Sequence, residues 1–190
     1  MSPVQKLMTV GEALKTGDEN AVCIEVLQTA IDLQPLENNQ PLRALFLIAE
    51  SHLTLVELDQ SREKYKQCLA LALQCTDQQY EAKCYRRLAE LSLRHNDLEQ
   101  GIVYYEKLLS ICDDLVAKHG QEKLDGIVGC ELHKMVHETL CGAYRSMGDL
   151  PHALQHAKQH LESVAMDDDG NYKQLLGNGH FTVASLQVSV

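Results

Sequence analysis

One block pattern returns four times along the chain: an apolar helix, a short polar turn, then a second helix with small and aromatic residues at fixed offsets. It is clearest in Asp97-Leu98-Glu99-Gln100-Gly101-Ile102-Val103-Tyr104-Tyr105-Glu106-Lys107-Leu108 and in the stretch from Gly148-Asp149-Leu150-Pro151 to Lys158. Related copies open at Gly17-Asp18 and at Leu58-Asp59. A recurrence of this length restricts the fold more than any single motif does. Each helical pair alone leaves an apolar face exposed, and stacking the pairs buries it.

The offsets have a physical reading. Gly11, Ala49, Ala89 and Cys141 occupy one recurring place, and Cys23, Ser61, Gly101 and Ala153 the other. These are the places where two helices of a pair cross, and small side chains let the backbones approach. Gly17-Asp18, Asn96-Asp97 and Gly148-Asp149 stop one helix and cap the next. With four prolines and no tryptophan in 190 residues, and abundant Leu, Ala, Glu, Gln and Lys, the composition also favours helix.

The pattern resembles the tetratricopeptide repeat, a helix-turn-helix unit, over residues 4–165. The first unit matches the family positions with Leu7, Val10, Gly11, Leu14, Cys23, Leu27, Ala30 and Pro35. The second does so with Leu45, Ile48, Ala49, His52, Ser61, Tyr65 and Cys68. The third uses Tyr85, Leu88, Ala89, Ser92, Gly101, Tyr105 and Leu108, and the fourth His137, Leu140, Cys141, Tyr144, Ala153, Ala157 and His160. Leu108 and His160 are large where the family has a small residue. Repeat starts about 40 residues apart are similar to the longer-helix arrays of the LGN and rapsyn type. The resemblance implies an all-α, right-handed superhelical solenoid of antiparallel helix hairpins. The units are expected at 4–37, 42–76, 80–116 and 130–166. Longer helices with a break near Lys118–Lys123 are expected between the last two. For 167–190 the expectation is a loop, a short capping helix over Tyr172–Leu176 and a tail without charged side chains. That tail suggests a shortened or alternatively ended form of a longer array, and its last residues, Val188-Ser189-Val190, have the form of a weak PDZ ligand.

Charge and composition exclude several functions. Seventeen Lys+Arg against 27 Asp+Glu give a net charge of −10, a surface that repels phosphate, so nucleic acid is not an expected partner. No apolar run reaches the roughly 20 residues of a spanning helix, the N-terminus does not read as a signal peptide, and Ser2 excludes myristoylation. Seven scattered cysteines read as reduced thiols in a cytoplasmic or nuclear protein.

No catalytic residue, metal site or cofactor is expected. Cys130, His133, His137 and Cys141 share one helical stripe and suit zinc by type. Strung along about 16 Å of helix, they cannot close a tetrahedron. At most His133 and His137 can share a metal with residues from elsewhere, and core packing is the simpler reading. His152, His156 and His160 form a second stripe, able in principle to respond to pH near 6.5. Asp167-Asp168-Asp169-Gly170 fails as a calcium loop because Ala165 and Leu176 fall on ligand positions. Cys23, Cys68 and Cys141 stand at packing positions, and no phosphate loop or nucleophile elbow is present.

The function implied by the resemblance is therefore a non-enzymatic adaptor holding a protein segment in a concave groove. By register, that groove carries Glu12, Glu50 and Glu90 as an acidic line, with Gly142 at the fourth rung. Arg43, Lys83, Arg86, Lys15, Arg94 and Arg145 flank it, and Phe46 and Leu53 are apolar anchors. The expected partner is a peptide or helix, with Arg or Lys set against the glutamates. A chaperone C-terminal tail is not expected, because the clamp positions hold Met8, Glu12, Glu50, Arg86 and Glu90, and three carboxylates repel a fourth. The alternative is a structural subunit or homo-oligomer that uses its convex or terminal faces.

Overall fold

The computed structural model describes residues 3–33, 39–119, 123–124 and 127–165. Pro35, the loop and tail expectations for 167–190 and the glycines Gly120 and Gly126 lie outside the described residues. The elements are α1 (Pro3–Thr16), α2 (Asn20–Leu33), α3 (Gln40–Thr54), α4 (Leu58–Cys75), α5 (Gln78–Arg94) and α6 (Leu98–His119). Two short strands, β1 (Lys123–Leu124) and β2 (Ile127–Val128), precede α7 (Gly129–Ser146) and α8 (Leu150–Ala165). The chain divides into two compact units, Met1–Leu91 and Ser92–Val190. The architecture is all-α, built of antiparallel helix hairpins.

Within the first unit α1 packs on α2, α2 on α3 and α3 on α4. Val4, Met8, Cys23, Leu27, Ala30, Ala44 and Ile48 form its first core, and Leu42, Cys68, Ala72 and Cys84 a second. In the second unit α7 packs on α6 and α8. Cys141, Ala153 and Ala157 are buried there, with Tyr144, Leu150 and Leu154 packed against them.

The crossing positions do more than stay small. The Cys23 thiol donates to the Gly11 carbonyl at 3.2 Å, and the Ser61 hydroxyl to the Ala49 carbonyl at 2.9 Å. A Cβ added at Gly11 would lie 2.6 Å from Leu27 Cγ, so glycine is required by the approach of α2. Ala49, Ala89 and Ala153 are wholly buried, as is Leu108, whose bulk is accommodated in the core. Val10 departs from its family role: it is 47% exposed.

The turns inside the hairpins are copies of one another. Asp18, Val56, Asn96 and Gly148 have φ of 62°, 62°, 59° and 79°, each two residues before the second helix starts. After each, an amide reaches back across the turn: Glu19 to Leu14, Glu57 to His52, Asp97 to Ser92 and Asp149 to Tyr144, all at 2.9 Å. This is the six-to-one bond that satisfies orphan carbonyls at a helix end. Asp97 and Asp149 then accept from the amides of Gln100 and His152, capping α6 and α8.

The segment between α6 and α7 differs from expectation. Helix α6 does run on to His119, but β1 and β2 then pair antiparallel, Lys123 with Val128 and Leu124 with Ile127. The sequence reading anticipates no strand here. In the sequence, the Asp125-Gly126 dipeptide between Lys123-Leu124 and Ile127-Val128 is the local cue, since Asp-Gly favours a tight turn between strands.

Candidate functional site

The residues assigned to the groove by register fall in both units. Glu12, Arg43, Phe46, Glu50, Leu53, Lys83, Arg86 and Glu90 belong to the first. Arg94 and Arg145 belong to the second, where both are exposed near the ends of α5 and α7.

In the first unit, α1, α3 and α5 carry the assigned charges, and these are engaged with one another. Arg43 Nε lies 2.8 Å from Glu12 Oε1. Lys15 Nζ donates to Asn20 Oδ1 at 2.7 Å, to Thr54 Oγ1 at 2.9 Å and to the Glu50 carbonyl at 3.2 Å, tying α1 to α3. Glu50 is the most connected. It accepts from the Tyr65 hydroxyl of α4 and, through Oε2, from Arg87 Nη2 at 3.1 Å. Arg87 Nε lies 2.7 Å from Glu50 Oε1, a close ionic contact rather than an aligned hydrogen bond. The same guanidinium donates through Nη1 to Glu90 Oε2 at 3.0 Å, and Arg86 Nε donates to Glu90 Oε1 at 3.0 Å.

Arg87 is the residue that register alone misses. The family pattern selects its neighbour Arg86, yet one step along α5 turns Arg87 toward α3. Burial works against the Arg87 charge, but Glu50 and Glu90 more than offset it and hold its proton above the ordinary range. Burial, then Glu50, push the Tyr65 phenol upward. Tyr65 and Phe46 meet edge to face at 5.5 Å, and Phe46 and Tyr80 at 5.9 Å. Lys83 Nζ stands 5.8 Å from the Phe46 ring centre and 5.1 Å from that of Tyr80. Tyr80 is pushed up to about 12, chiefly by burial. The face is thus a band of paired charges beside an aromatic cluster covered by a lysine.

In the second unit the two histidine stripes come together. His137 on α7 and His156 on α8 are buried, with their Nδ1 atoms 2.9 Å apart. His133 packs on His137 at 4.4 Å, and Tyr144 stacks on His156 at 5.5 Å and on His152 at 5.1 Å. The five rings form one continuous line between α7 and α8. Carboxylates hold its outer members: Asp113 lies 3.1 Å from His133 Nε2, Asp149 2.7 Å from His152 Nδ1, and Glu106 accepts from the Tyr144 hydroxyl at 2.7 Å. Asp113, His133, His137, Gln159 and Glu162 border a cleft of about 330 Å³. Burial above all, with His133, His156 and His160 nearby, holds His137 down at about 3. Burial also lowers His156, against the pull of Glu106.

Among the described residues no three His, Cys, Asp or Glu side chains converge to hold a metal ion. No described helix is long and apolar enough to cross a membrane. The six described cysteines are free, and only Cys75 among them is exposed. Burial pushes Cys112 up to about 12, and raises Cys141 as well, so neither presents a thiolate.

The hairpins define the class: this is the tetratricopeptide-like helical repeat fold. Several solved structures share it. The chain is similar to BtubC from P. vanneervenii (TM-score 0.67, 14% identity, 97% of this chain and 74% of that one). It is similar to the TPR-like repeats of a Podospora anserina kinesin light chain (TM-score 0.66, 13% identity, 97% and 88% covered). The yeast histone chaperone Hif1, described as a scaffold protein recruiting protein complexes to core histones, superposes with TM-score 0.71 at 10% identity, covering 97% and 94%. No protein-family model matches the sequence. No curated protein matches it either.

Proposed function

We propose that this protein is a non-enzymatic adaptor that binds a segment of another protein across the face formed by α1, α3 and α5. The observation that carries the reading is Arg87 bridging Glu50 and Glu90, which joins charges of two hairpins into one half-buried band beside Phe46 and Tyr80. Paired charges and aromatic rings on adjoining helices suit recognition of a mixed polar and apolar segment. The raised, buried thiols give no support to nucleophilic catalysis. That Hif1 shares the fold and is a scaffold supports the same reading. A cytoplasmic or nuclear setting, read from the seven cysteines, is part of the proposal.

The partner proposed first is a peptide or helix with Arg or Lys opposite Glu12, Glu50 and Glu90. It has to exchange with Arg43, Arg86 and Arg87, which already engage those carboxylates. A second reading follows from the same census. Lys15, Arg43, Lys83, Arg86 and Arg87 stand beside Glu12, Glu50, Glu90 and Asp77, and Lys83 over the aromatic rings favours an acidic segment as the second candidate. A chaperone C-terminal tail is not the acidic segment proposed, because Glu12, Glu50 and Glu90 stand at the clamp positions.

Calorimetry against two peptide pools of opposite charge tests both. Capture of the basic pool, weakened at least tenfold by E50A/E90A, supports the first reading, since each charge-assisted bond is worth about 1.5–3 kcal/mol. Capture of the acidic pool, weakened by R43A/K83A, supports the second. Affinity unchanged in both variants moves the site off this face. Sedimentation as a stable oligomer would favour the structural-subunit alternative.

A further inference from the structure

We propose that the α7–α8 hairpin is an acid-releasable module, opening selectively below neutral pH because its interface cannot hold His137 and His156 both protonated. Their Nδ1 atoms lie 2.9 Å apart. One nitrogen donates and the other accepts, so the contact survives if the donor ring alone takes a proton at Nε2, but with both rings protonated two Nδ1–H donors stand face to face.

The remaining space is also closed to charge. His137 is 1% exposed and His156 8%. Among the described residues, His137 faces the rings of His133, His156 and His160, none of which carries a negative charge. His160 already meets the Lys134 carbonyl through its own Nδ1 at 3.0 Å. His156 faces His152, Tyr144 and, from α6, Glu106. Glu106 acts on His156 and accepts the Tyr144 hydroxyl, while on the His137 side Asp113 and Glu162 border the same cleft without a hydrogen bond to His137 among the described contacts. Asp113 and Asp149 lie at the outer ends of the stack, against His133 and His152. Burial and the neighbouring histidines accordingly keep His137 neutral down to about pH 3.

Once the hairpin opens, both imidazoles regain their ordinary pKa near 6.5. The open state then binds protons that the closed state refuses, so closure is favoured above 6.5 and weakens steadily below it. Each such histidine raises the opening equilibrium about tenfold between pH 7.5 and 5.5, and the pair up to about a hundredfold. No comparable buried histidine exists among the described residues of the first unit, so its hairpins should respond much less.

Amide hydrogen exchange on the full chain at pH 7.5 and 5.5, corrected for intrinsic rates, tests this. The expected result is a ten- to hundredfold loss of protection across 132–163, with a far smaller change across 42–91. The double variant H137F/H156F, which replaces both partners by apolar rings, should abolish the difference, whereas H152Q should leave it. Imidazole NMR of the unaltered protein provides a check independent of whether the double variant folds: His137 should remain neutral to below pH 5 in the folded state. Equal protection at the two pH values, or His137 titrating near 6.5 without loss of structure, would overturn the proposal.

Discussion

Arg87 of α5 grips Glu50 of α3 through two nitrogens, with Nε at 2.7 Å and Nη2 at 3.1 Å. The pair is about three-quarters buried, with 26% and 19% of the side chains exposed. Removing one member leaves a half-desolvated charge. R87M should therefore destabilise the first unit by about 2 kcal/mol, and R87M/E50Q by less than the sum of the single changes. Urea denaturation followed by circular dichroism, run as a double-mutant cycle, measures this coupling. Strict additivity would show that the two groups act independently.

Val56 is a β-branched residue at φ 62°, 75% exposed, at a turn position where the other hairpins place Asp18, Asn96 and Gly148. The left-handed region costs a side chain of this shape roughly 1–2 kcal/mol, and exposure gives nothing back. V56G or V56N should raise the melting temperature by a few degrees. A lower value would mean that Val56 makes a contact that outweighs its strain.

Two glycines make opposite forecasts. At Gly11 a methyl group runs into buried Leu27, so G11A should cost about 1–3 kcal/mol by overpacking. At Gly142 an added Cβ meets nothing within 4 Å, so G142A should gain up to about 1 kcal/mol from reduced chain entropy. Thermal melts of the two variants side by side decide both. A89L, at the same crossing position as Gly11, should be at least as damaging as G11A.

Ser61 and Cys23 fasten their helices to the partner backbone as well as leaving room for it. S61A keeps the small size and removes the 2.9 Å bond to the buried Ala49 carbonyl. A loss of about 1 kcal/mol is expected. Stability unchanged within a few tenths would assign the position to size alone.

Much of this was legible from residue order. Small residues at Gly11, Ala49, Ala89 and Ala153 follow from helix crossing, which is a local steric demand repeated along the chain. The turn dipeptides announced themselves for the same reason, except at Val56, where the backbone takes the shared geometry despite the wrong side chain. What escaped was pairing at long range. Register picks out Arg86, while Arg87 finds Glu50 across 37 positions. His137 and His156 were two separate stripes until α7 folded on α8. The strand pair after α6 hung on a single Asp-Gly dipeptide, too slight a cue against a helical background.

The four left-handed turn residues stand 38, 40 and 52 positions apart, yet the bond spanning each turn keeps one length. Helix lengths vary from hairpin to hairpin, and the longest interval is the one that holds β1 and β2, while the turn inside each hairpin is unchanged. Evolution, or an engineer, can thus splice new sequence at that junction and leave the hairpins on either side as they are.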